Sequence, residues 1–296
     1  MKLKEIFFPS FLVSESFYPV LFEESNLMAL VRQTLDTGHY KRIEISAMKT
    51  PEGIQALRSI SETVPVTQWI TNDLNDQCLN PSSVDAELRH KTADEMKRLV
   101  RIAAQSGADR VAFISCADPG PTLRREATMG LAEVMTDVAA EADKYGITLL
   151  LEPLDRGAHK NNLIGPTDEA AELIRHVREW QPNVALSWDS AHAALNGENL
   201  PQAVEQNMPY IGQIHLANAV LDKNSTQYGD WHMKMGAPGF LTEDAAYEIL
   251  KAAARQVSAG KTLGVTVERR SPDKQSMAHC VTENYNFLHS LLEREV

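Results

Sequence analysis

The sequence predicts a single-domain (β/α)8 TIM barrel, an α/β fold built on a parallel sheet, and three features indicate it. The 296 residues of the chain suit a barrel that typically needs roughly 250. Short apolar runs alternate with longer amphipathic stretches, which is the pattern of βαβ units. Acidic or imidazole side chains end four successive apolar runs in the second half. No internal repeat or composition shift marks a linker, so one domain is expected over residues 1–296.

Eight short apolar runs are predicted to form the barrel, because each has the length and composition of a buried parallel strand. In chain order they are residues 4–9, 42–46, 64–70, 110–115, 148–152, 185–189, 211–215 and 264–268. The first run is expected to be a strand rather than a signal peptide, because Glu5 interrupts it and the apolar core is too short. No run approaches the roughly 20 apolar residues of a membrane helix, so no membrane partner is expected.

Helices are predicted between the strands, and three of them carry terminal signals. Thr50 followed by proline fits an N-cap with proline at the first helical position. Thr167 is expected to cap the helix that starts with two acidic residues, whose charges favour a helix N-terminus. Residues 124–145 have apolar side chains near helical spacing and are expected to end at Gly146 as a C-cap glycine.

The most informative residues are Glu152, Asp189, His215 and Glu268, each at or near the end of a predicted strand. Their runs read ITLLLEP, VALSWDSAH, IGQIHL and LGVTVER. In a barrel the C-terminal strand ends converge on the face that carries the active site. Carboxylates rarely enter a barrel unpaired, and an oxygen-rich set with one imidazole suits a divalent ion. We therefore expect these four residues to bind one metal ion; a salt bridge or helix cap is the alternative for any one of them.

The alternation of side chains along a strand is consistent with that expectation. If the four residues point into the barrel, the residues two or four positions before them do so too, and these are polar: Thr148, Ser187, Gln213 and Thr266. The intervening positions are then expected to face the helices, and they are apolar: Leu149, Leu151, Leu186, Trp188, Ile214, Val265 and Val267.

Other residues near the strand ends are candidates for substrate binding. His192 follows the expected aspartate ligand by three residues, and His232 lies near Asp230 in a long segment, residues 218–241. Such long segments are often functional, and this one is expected to border the pocket. Trp69 offers an aromatic face on which the ring of a ligand can stack. Each has a simpler interpretation: a helix-start histidine for His192, a solvated loop pair for Asp230 and His232, and core packing for Trp69.

Charge and cysteine content argue against several classes of protein. The net charge is −11, and no run of Lys and Arg is long enough to suggest the basic patch of a nucleic-acid-binding protein. Cys78, Cys116 and Cys280 lie far apart and form no CxxC pair. A reducing cytoplasm is therefore the expected location.

The segments LLEPLDR, SWDSAH, IHLAN, GDWHMKMGAPG and VTVERR resemble the xylose isomerase-like TIM-barrel superfamily. That group includes ketose 3-epimerases, inosose isomerases and dehydratases, and apurinic endonucleases. The resemblance implies that the four strand-end residues bind one Mn²⁺-like ion. It also implies that Glu152 and Glu268 act as acid and base on opposite faces of a substrate, and that His192 contacts a substrate oxygen.

The chain departs from the pattern of two branches of that superfamily. Ketose 3-epimerases carry an arginine a few residues beyond the histidine ligand, whereas this chain reads HLANAVLDK. The GDWHMKMGAPG segment looks more like the inosose and general sugar isomerase branches. Asp230 and His232 match ligands of the endonuclease branch, but that branch needs further histidines where this chain reads VTQWITND and FISCAD.

The resemblance implies an isomerase or epimerase of a keto-sugar or polyol-derived ketone that works through an enediolate. A dehydratase or lyase of the inosose dehydratase type is the main alternative. An apurinic endonuclease-like nuclease and a non-catalytic sugar-binding barrel are further alternatives. Mn²⁺ is the expected cofactor, and Co²⁺, Mg²⁺ and Zn²⁺ suit the same ligands. The expected partner is a small-molecule sugar, with a homo-oligomer as an open possibility.

Overall fold

The computed structural model describes residues 1–258 and 260–296 and shows a closed barrel of eight parallel strands. The barrel strands are β1 Phe7–Leu12, β2 Arg42–Ser46, β3 Val66–Trp69, β4 Arg110–Ile114, β5 Thr148–Glu152, β6 Val184–Asp189, β7 Ile211–Ala217 and β10 Leu263–Glu268. Two short strands, β8 Ala219–Val220 and β9 Gly229–Asp230, lie outside the barrel. The order around the barrel is β1-β10-β7-β6-β5-β4-β3-β2. The predicted fold class is confirmed.

Helices surround the barrel and connect its strands. They are α1 Val13–Ser16, α2 Glu24–Leu35, α3 Pro51–Ser61, α4 Thr71–Asp76, α5 Ala86–Gln105, α6 Arg124–Asp143, α7 Thr167–Val177, α8 Ser190–Leu195, α9 Leu200–Asn207, α10 Glu243–Ala254 and α11 Met277–Leu292, with 3-10 turns at Leu3–Glu5, Tyr18–Val20 and Met208–Tyr210. Within the described ranges, none of these helices combines the length and apolar character that crossing a membrane requires.

The strands lie close to their predicted positions except for the first. Residues 42–46 and 148–152 are strands with the predicted bounds, and five others differ by one or two residues at an end. The first prediction, residues 4–9, is wrong because the strand is β1, Phe7–Leu12. The backbone N–H of Lys2 donates to the Glu5 carboxylate (2.7 Å), which closes a 3-10 turn over Leu3–Glu5 and delays the strand.

The helix-end predictions are confirmed at α3 and wrong at α7. The Thr50 hydroxyl accepts the N–H of Gly53 (3.0 Å) as an N-cap. Pro166 occupies the N-cap position of α7, and Thr167 is its first helical residue. Thr167 therefore lies one residue too far along to be the N-cap, and its hydroxyl accepts the indole N–H of Trp188 (3.0 Å). Helix α6 ends at Asp143, shortly before Gly146, whose φ of +68° is that of a C-cap glycine.

Apolar side chains fill the layer between the strands and the helices. The outward positions predicted from alternation all belong to one hydrophobic cluster, and Trp188 in it is fully buried. Burying a large apolar side chain contributes about 1.5–3 kcal/mol. Inside the barrel, Ser187, Gln213 and Thr266 are fully buried, and the Gln213 amide lies 3.3 Å from the Ser187 hydroxyl. The interior is therefore polar on the side that carries the strand-end carboxylates.

The long segment at residues 218–241 is folded against the C-terminal face of the barrel. Strands β8 and β9 pair in antiparallel fashion within it, with Ala219 opposite Asp230. The Asn218 amide donates to the carbonyl oxygens of Lys234 and Gly236 (2.7 Å each), and its oxygen accepts the N–H of Leu241 (2.8 Å). One buried side chain thus joins both ends of the segment.

Candidate metal centre

Glu152, Asp189, His215 and Glu268 converge inside the C-terminal end of the barrel. Each offers one ligand atom, all within 4.8 Å of one another, and all four residues are buried. The Nδ1 atom of His215 lies 2.8 Å from Glu268 Oε2 and 3.4 Å from Glu152 Oε1. Convergence follows from topology, because β5, β6, β7 and β10 are consecutive in the barrel and the register places Asp189 beside His215.

Two carboxylate oxygens in this cluster lack hydrogen bonds in the described part of the chain. They are Glu152 Oε1 and Asp189 Oδ2, both buried. The other oxygen of Asp189 accepts the backbone N–H groups of Ala191 (2.8 Å) and His192 (3.0 Å). A buried carboxylate oxygen without a partner is costly. A divalent cation would satisfy both oxygens, so the residues fit a metal ion.

The pKa values in the cluster also reflect a shortage of positive charge. Burial, together with Glu268 and Glu152 and against the opposing effect of His192, raises the pKa of Asp189 to about 7. Burial likewise raises the pKa of Glu152. Burial acts upward on Glu268 too, but His232 and His215 outweigh it and hold its pKa well below the usual value. Neighbouring carboxylates that repel one another in this way favour a bound cation.

His192 lies beside the cluster and is held by a carboxylate that the sequence analysis did not single out. Asp155, fully buried, accepts from three backbone N–H groups at residues 158–160, and its Oδ2 is 3.2 Å from His192 Nδ1. Burial lowers the pKa of His192, but the bond to Asp155 and nearby carboxylates outweigh it and raise the pKa to about 9. His192 is therefore a cationic hydrogen-bond donor at neutral pH.

The residues of the long segment reach the cluster through His232. Its Nδ1 is 2.8 Å from Glu268 Oε1, and its Nε2 is 3.5 Å from Asp230 Oδ2. Asp230 is buried and also lies 3.3 Å from the ammonium of Lys160. Burial lowers the pKa of His232, but Glu268 and Asp230 outweigh it and raise the pKa to about 9. The pair is thus part of the site and not a solvated loop pair.

A cavity of about 260 Å³ opens above the cluster and is of a size for a small polar molecule. Trp69, His192 and His232 line it, as do Glu152, His215 and Glu268. The Trp69 indole N–H donates to Glu44 (3.2 Å), and its ring centroid is 5.6 Å from that of His215. Lys234 is not among the lining residues; it pairs with Glu283 instead.

Sequence reasoning also missed Glu44, a fully buried residue of β2. Its Oε2 lies 2.9 Å from Nε2 of His215, on the opposite side of the ring from Glu268. The available signal was an acidic residue within the otherwise strand-like run RIEIS. The role of Glu44 depends on the closed barrel, which brings a side chain of β2 into contact with one of β7. No local sequence pattern predicts that contact.

Comparison with known proteins agrees with the fold. The model of the xylose isomerase-like TIM-barrel family matches residues 31–259, which is more than half of the chain. No curated protein sequence matches the chain.

Solved structures of low sequence identity share its architecture. The IolI protein with a bound zinc atom has a TM-score of 0.70 at 17% identity, covering 98% of this chain and 100% of that chain. D-Psicose 3-epimerase from Clostridium cellulolyticum H10 has a TM-score of 0.70 at 16% identity, covering 99% and 100%. The 3-keto-D-glucoside 4-epimerase YcjR of E. coli has a TM-score of 0.65 at 17% identity, covering 96% and 98%. Identities this low establish a shared fold.

Proposed function

Because the chain belongs to the xylose isomerase-like TIM-barrel family, we propose that it is a divalent-metal-dependent isomerase or epimerase of a keto-sugar or polyol-derived ketone. The observation that carries the proposal is the convergence of Glu152, Asp189, His215 and Glu268 within 4.8 Å at the floor of a sugar-sized cavity. Sugar epimerases among the structural neighbours support this class of substrate.

These four side chains would hold the ion, which we propose to be Mn²⁺. When bound, such an ion polarises a substrate carbonyl as a Lewis acid and makes the neighbouring C–H more acidic. Asp189 and His215 serve only to hold it, since Asp189 is fixed by two backbone N–H groups and His215 has Glu44 behind it.

Glu152 and Glu268 would transfer the proton. They end β5 and β10, with β6 and β7 between them in the barrel, so each approaches the cavity from a different side. One carboxylate removes the proton from the carbon next to the carbonyl. The other returns a proton to the opposite face, giving epimerisation, or to the neighbouring carbon, giving isomerisation. Each does so through the carboxylate oxygen that is not needed for the ion.

Two histidines and one tryptophan would bind the sugar. His192 presents Nε2 to the cavity because Asp155 holds Nδ1, and it can donate to a substrate oxygen. His232 lies next to Glu268. Its Nε2 faces the same oxygen of Asp230 as Nε2 of His192 does (3.5 and 3.8 Å). Trp69 forms part of the wall and offers a face on which a sugar ring can stack.

A lyase is the second candidate, and one observation favours it. His192 lies beside the cluster with a pKa of about 9, so it can protonate a hydroxyl that leaves from the carbon next to the one deprotonated. The first chemical step is shared, and only the fate of the intermediate differs. A lyase product is lighter than its substrate by one water molecule, whereas an isomerase product has the mass of its substrate. Mass spectrometry therefore distinguishes the two.

Deuterium incorporation tests the proposed reaction. The Mn²⁺-loaded protein is incubated in D2O with a panel of keto-sugars and polyol-derived ketones. We expect deuterium at the carbon next to the carbonyl, both in product and in recovered substrate. Conversion without any deuterium uptake would indicate an internal hydride shift and would overturn the roles of the two glutamates. The double variant Glu152→Gln/Glu268→Gln, treated in the same way, is the control for exchange that the chain does not catalyse.

A further inference from the structure

We propose that Glu44 is a positioning residue for the metal site: it accepts the Nε2–H of His215 and thereby turns the Nδ1 lone pair toward the ion. The inference rests on the proposed function, since it concerns the same ion. Glu44 belongs to β2, whereas the four proposed ligands come from β5, β6, β7 and β10. The metal site therefore extends across the barrel interior.

The two nitrogens of the His215 ring have different neighbours. Nε2 lies 2.9 Å from Oε2 of Glu44, and Nδ1 lies 2.8 Å from Oε2 of Glu268. A neutral imidazole carries one N–H and one lone pair, and the partner of one nitrogen decides the role of the other. In the ion-free protein both ring nitrogens face carboxylate oxygens, so Nδ1 also carries a proton, which it donates to Glu268. A bound ion would displace that proton, and with Glu44 accepting at Nε2 the Nδ1 lone pair would then face the ion.

Glu44 is held so firmly that it can direct the ring. One carboxylate oxygen accepts the hydroxyls of Ser10 (3.1 Å) and Thr266, and the other accepts the indole of Trp69 (3.2 Å) and the amide of Gln213 (2.6 Å). These donors come from β1, β10, β3 and β7. A carboxylate fixed from four strands has no alternative orientation, so it selects one orientation of the imidazole.

The orientation of the Gln213 amide is consistent with this arrangement. Its oxygen accepts the hydroxyl of Thr67 (3.5 Å), which leaves its nitrogen to face Glu44. The Gln213 nitrogen and His215 Nε2 lie 2.9 Å apart because both reach the same oxygen of Glu44. With the indole N–H of Trp69, three donors then share this one oxygen. Nε2 of His215 has no second acceptor to compete for its N–H in the described part of the barrel.

The opposing interpretation is that Glu44 only stabilises the barrel interior. The two interpretations differ in what a change at Glu44 alters. A residue that hydrogen-bonds to a metal-bound histidine typically changes metal affinity by roughly 10–100-fold when mutated. If Glu44 were purely structural, its replacement would instead change the stability of the ion-free protein. The affinity of the folded protein for the ion would stay unchanged.

The experiment measures the affinity of the full chain for Co²⁺ by titration calorimetry, together with the melting temperature of the ion-free protein. We expect Glu44→Gln to weaken Co²⁺ binding by roughly 10–100-fold while the ion-free protein still melts cooperatively. The matched control is Glu198→Gln, which alters a carboxylate that accepts the backbone N–H of Thr167 (3.2 Å) outside the cavity, and should leave Co²⁺ affinity unchanged. Wild-type affinity in a folded Glu44→Gln variant would overturn the inference.

A second measurement needs no Glu44 variant and therefore holds even if Glu44→Gln does not fold. In the Zn²⁺-loaded wild-type protein, a long-range ¹H–¹⁵N spectrum should show His215 protonated at Nε2 and bound to the ion through Nδ1, with its signals assigned by their loss in His215→Gln. Protonation at Nδ1 would overturn the role of Glu44 while leaving the metal site intact. Failure of the wild-type chain to bind Co²⁺ or Zn²⁺ would overturn the proposed function and this inference together.

Discussion

Each of the four clustered side chains belongs to a residue at or near the end of its strand, and this position brings it to the C-terminal face of the barrel. Glu152, Asp189 and Glu268 are the last residues of β5, β6 and β10, and His215 precedes the end of β7 by two positions. Their burial leaves Glu152 Oε1 and Asp189 Oδ2 without hydrogen bonds within the described ranges. We propose that these two oxygens bind an ion and that two of the carboxylates also transfer a proton.

Replacing either glutamate by glutamine should separate binding from chemistry. Glutamine keeps the shape and one oxygen that can bind the ion, but it cannot accept the proton. We expect Glu152→Gln and Glu268→Gln to fold normally and to lose roughly 10²–10⁴ in kcat. The measurement is kcat on the substrate identified in the keto-sugar panel, with metal content determined in parallel. A variant that retains wild-type kcat would exclude that glutamate from proton transfer.

Ion affinity should increase with pH because the ion competes with a proton for Asp189. Burial first, and then Glu268 and Glu152, raise the pKa of this carboxyl to about 7. The carboxyl is protonated below that value and available to the ion above it. Titrations with Co²⁺ at about pH 6 and about pH 8 should therefore give tighter binding at the higher pH and proton release at the lower one. The same affinity at both values would count against Asp189 as a ligand.

At the scale of elements, the segment at residues 218–241 shows how a connection becomes part of a site. Pairing of β8 with β9 places Asp230 beneath the loop, and the φ of +50° at His232 turns the chain so that its ring meets Glu268. Asn218 holds the segment closed. A Cβ at Gly239 would lie 2.2 Å from the Asn218 oxygen, so only glycine allows this approach.

Removing the Asn218 amide should loosen the segment and weaken substrate binding. Asn218→Ala deletes three hydrogen bonds, each worth about 1 kcal/mol. We expect a lower melting temperature and a KM that rises more than kcat falls. The matched control is Asn224→Ala, in the exposed part of the same segment, where the Asn224 amide donates to Asp222 (3.2 Å). Equal effects of the two substitutions would show that Asn218 has no special role.

The bounds of a strand or helix can be predicted from the sequence where a local pattern determines them. They cannot be predicted where contacts with residues distant in sequence determine them. The bounds of β2 and β5 follow from their apolar runs. The start of β1 does not, because the bond from Lys2 to Glu5 creates a turn first. The predicted cap of α7 is wrong because Thr167 lies inside the helix, where its hydroxyl accepts the indole N–H of Trp188, a residue distant in sequence.

The site follows the same rule as the elements. The four strand-end residues can be predicted because parallel strands bring their ends together. Glu44 and Asp155 act only through a histidine on another element. Their contacts with these histidines depend on the closed barrel and the register of its strands, which cannot be predicted from a single sequence.

At the scale of the whole molecule, the barrel and the site should depend on each other. A ligand that binds only the folded state stabilises it, by about 2.7 kcal/mol at a hundred times its Kd. Excess Mn²⁺ should therefore raise the melting temperature by several degrees, and a chelator should reverse the effect. Asp189→Ala should abolish the response, whereas His192→Ala, outside the proposed ligand set, should keep it. A wild-type melting temperature insensitive to Mn²⁺ would argue against a site in the native fold.

Anomalous X-ray diffraction from Mn²⁺-loaded crystals would show directly whether the four clustered residues bind the ion. Data collected at the manganese absorption edge locate the ion without reference to any assumed ligand. We expect one strong peak at about 2.0–2.6 Å, the range for hard divalent ions, from oxygens of Glu152, Asp189 and Glu268, facing Nδ1 of His215. A wild-type crystal without a peak in this cluster, or with its strongest peak bound by other residues, would contradict the account.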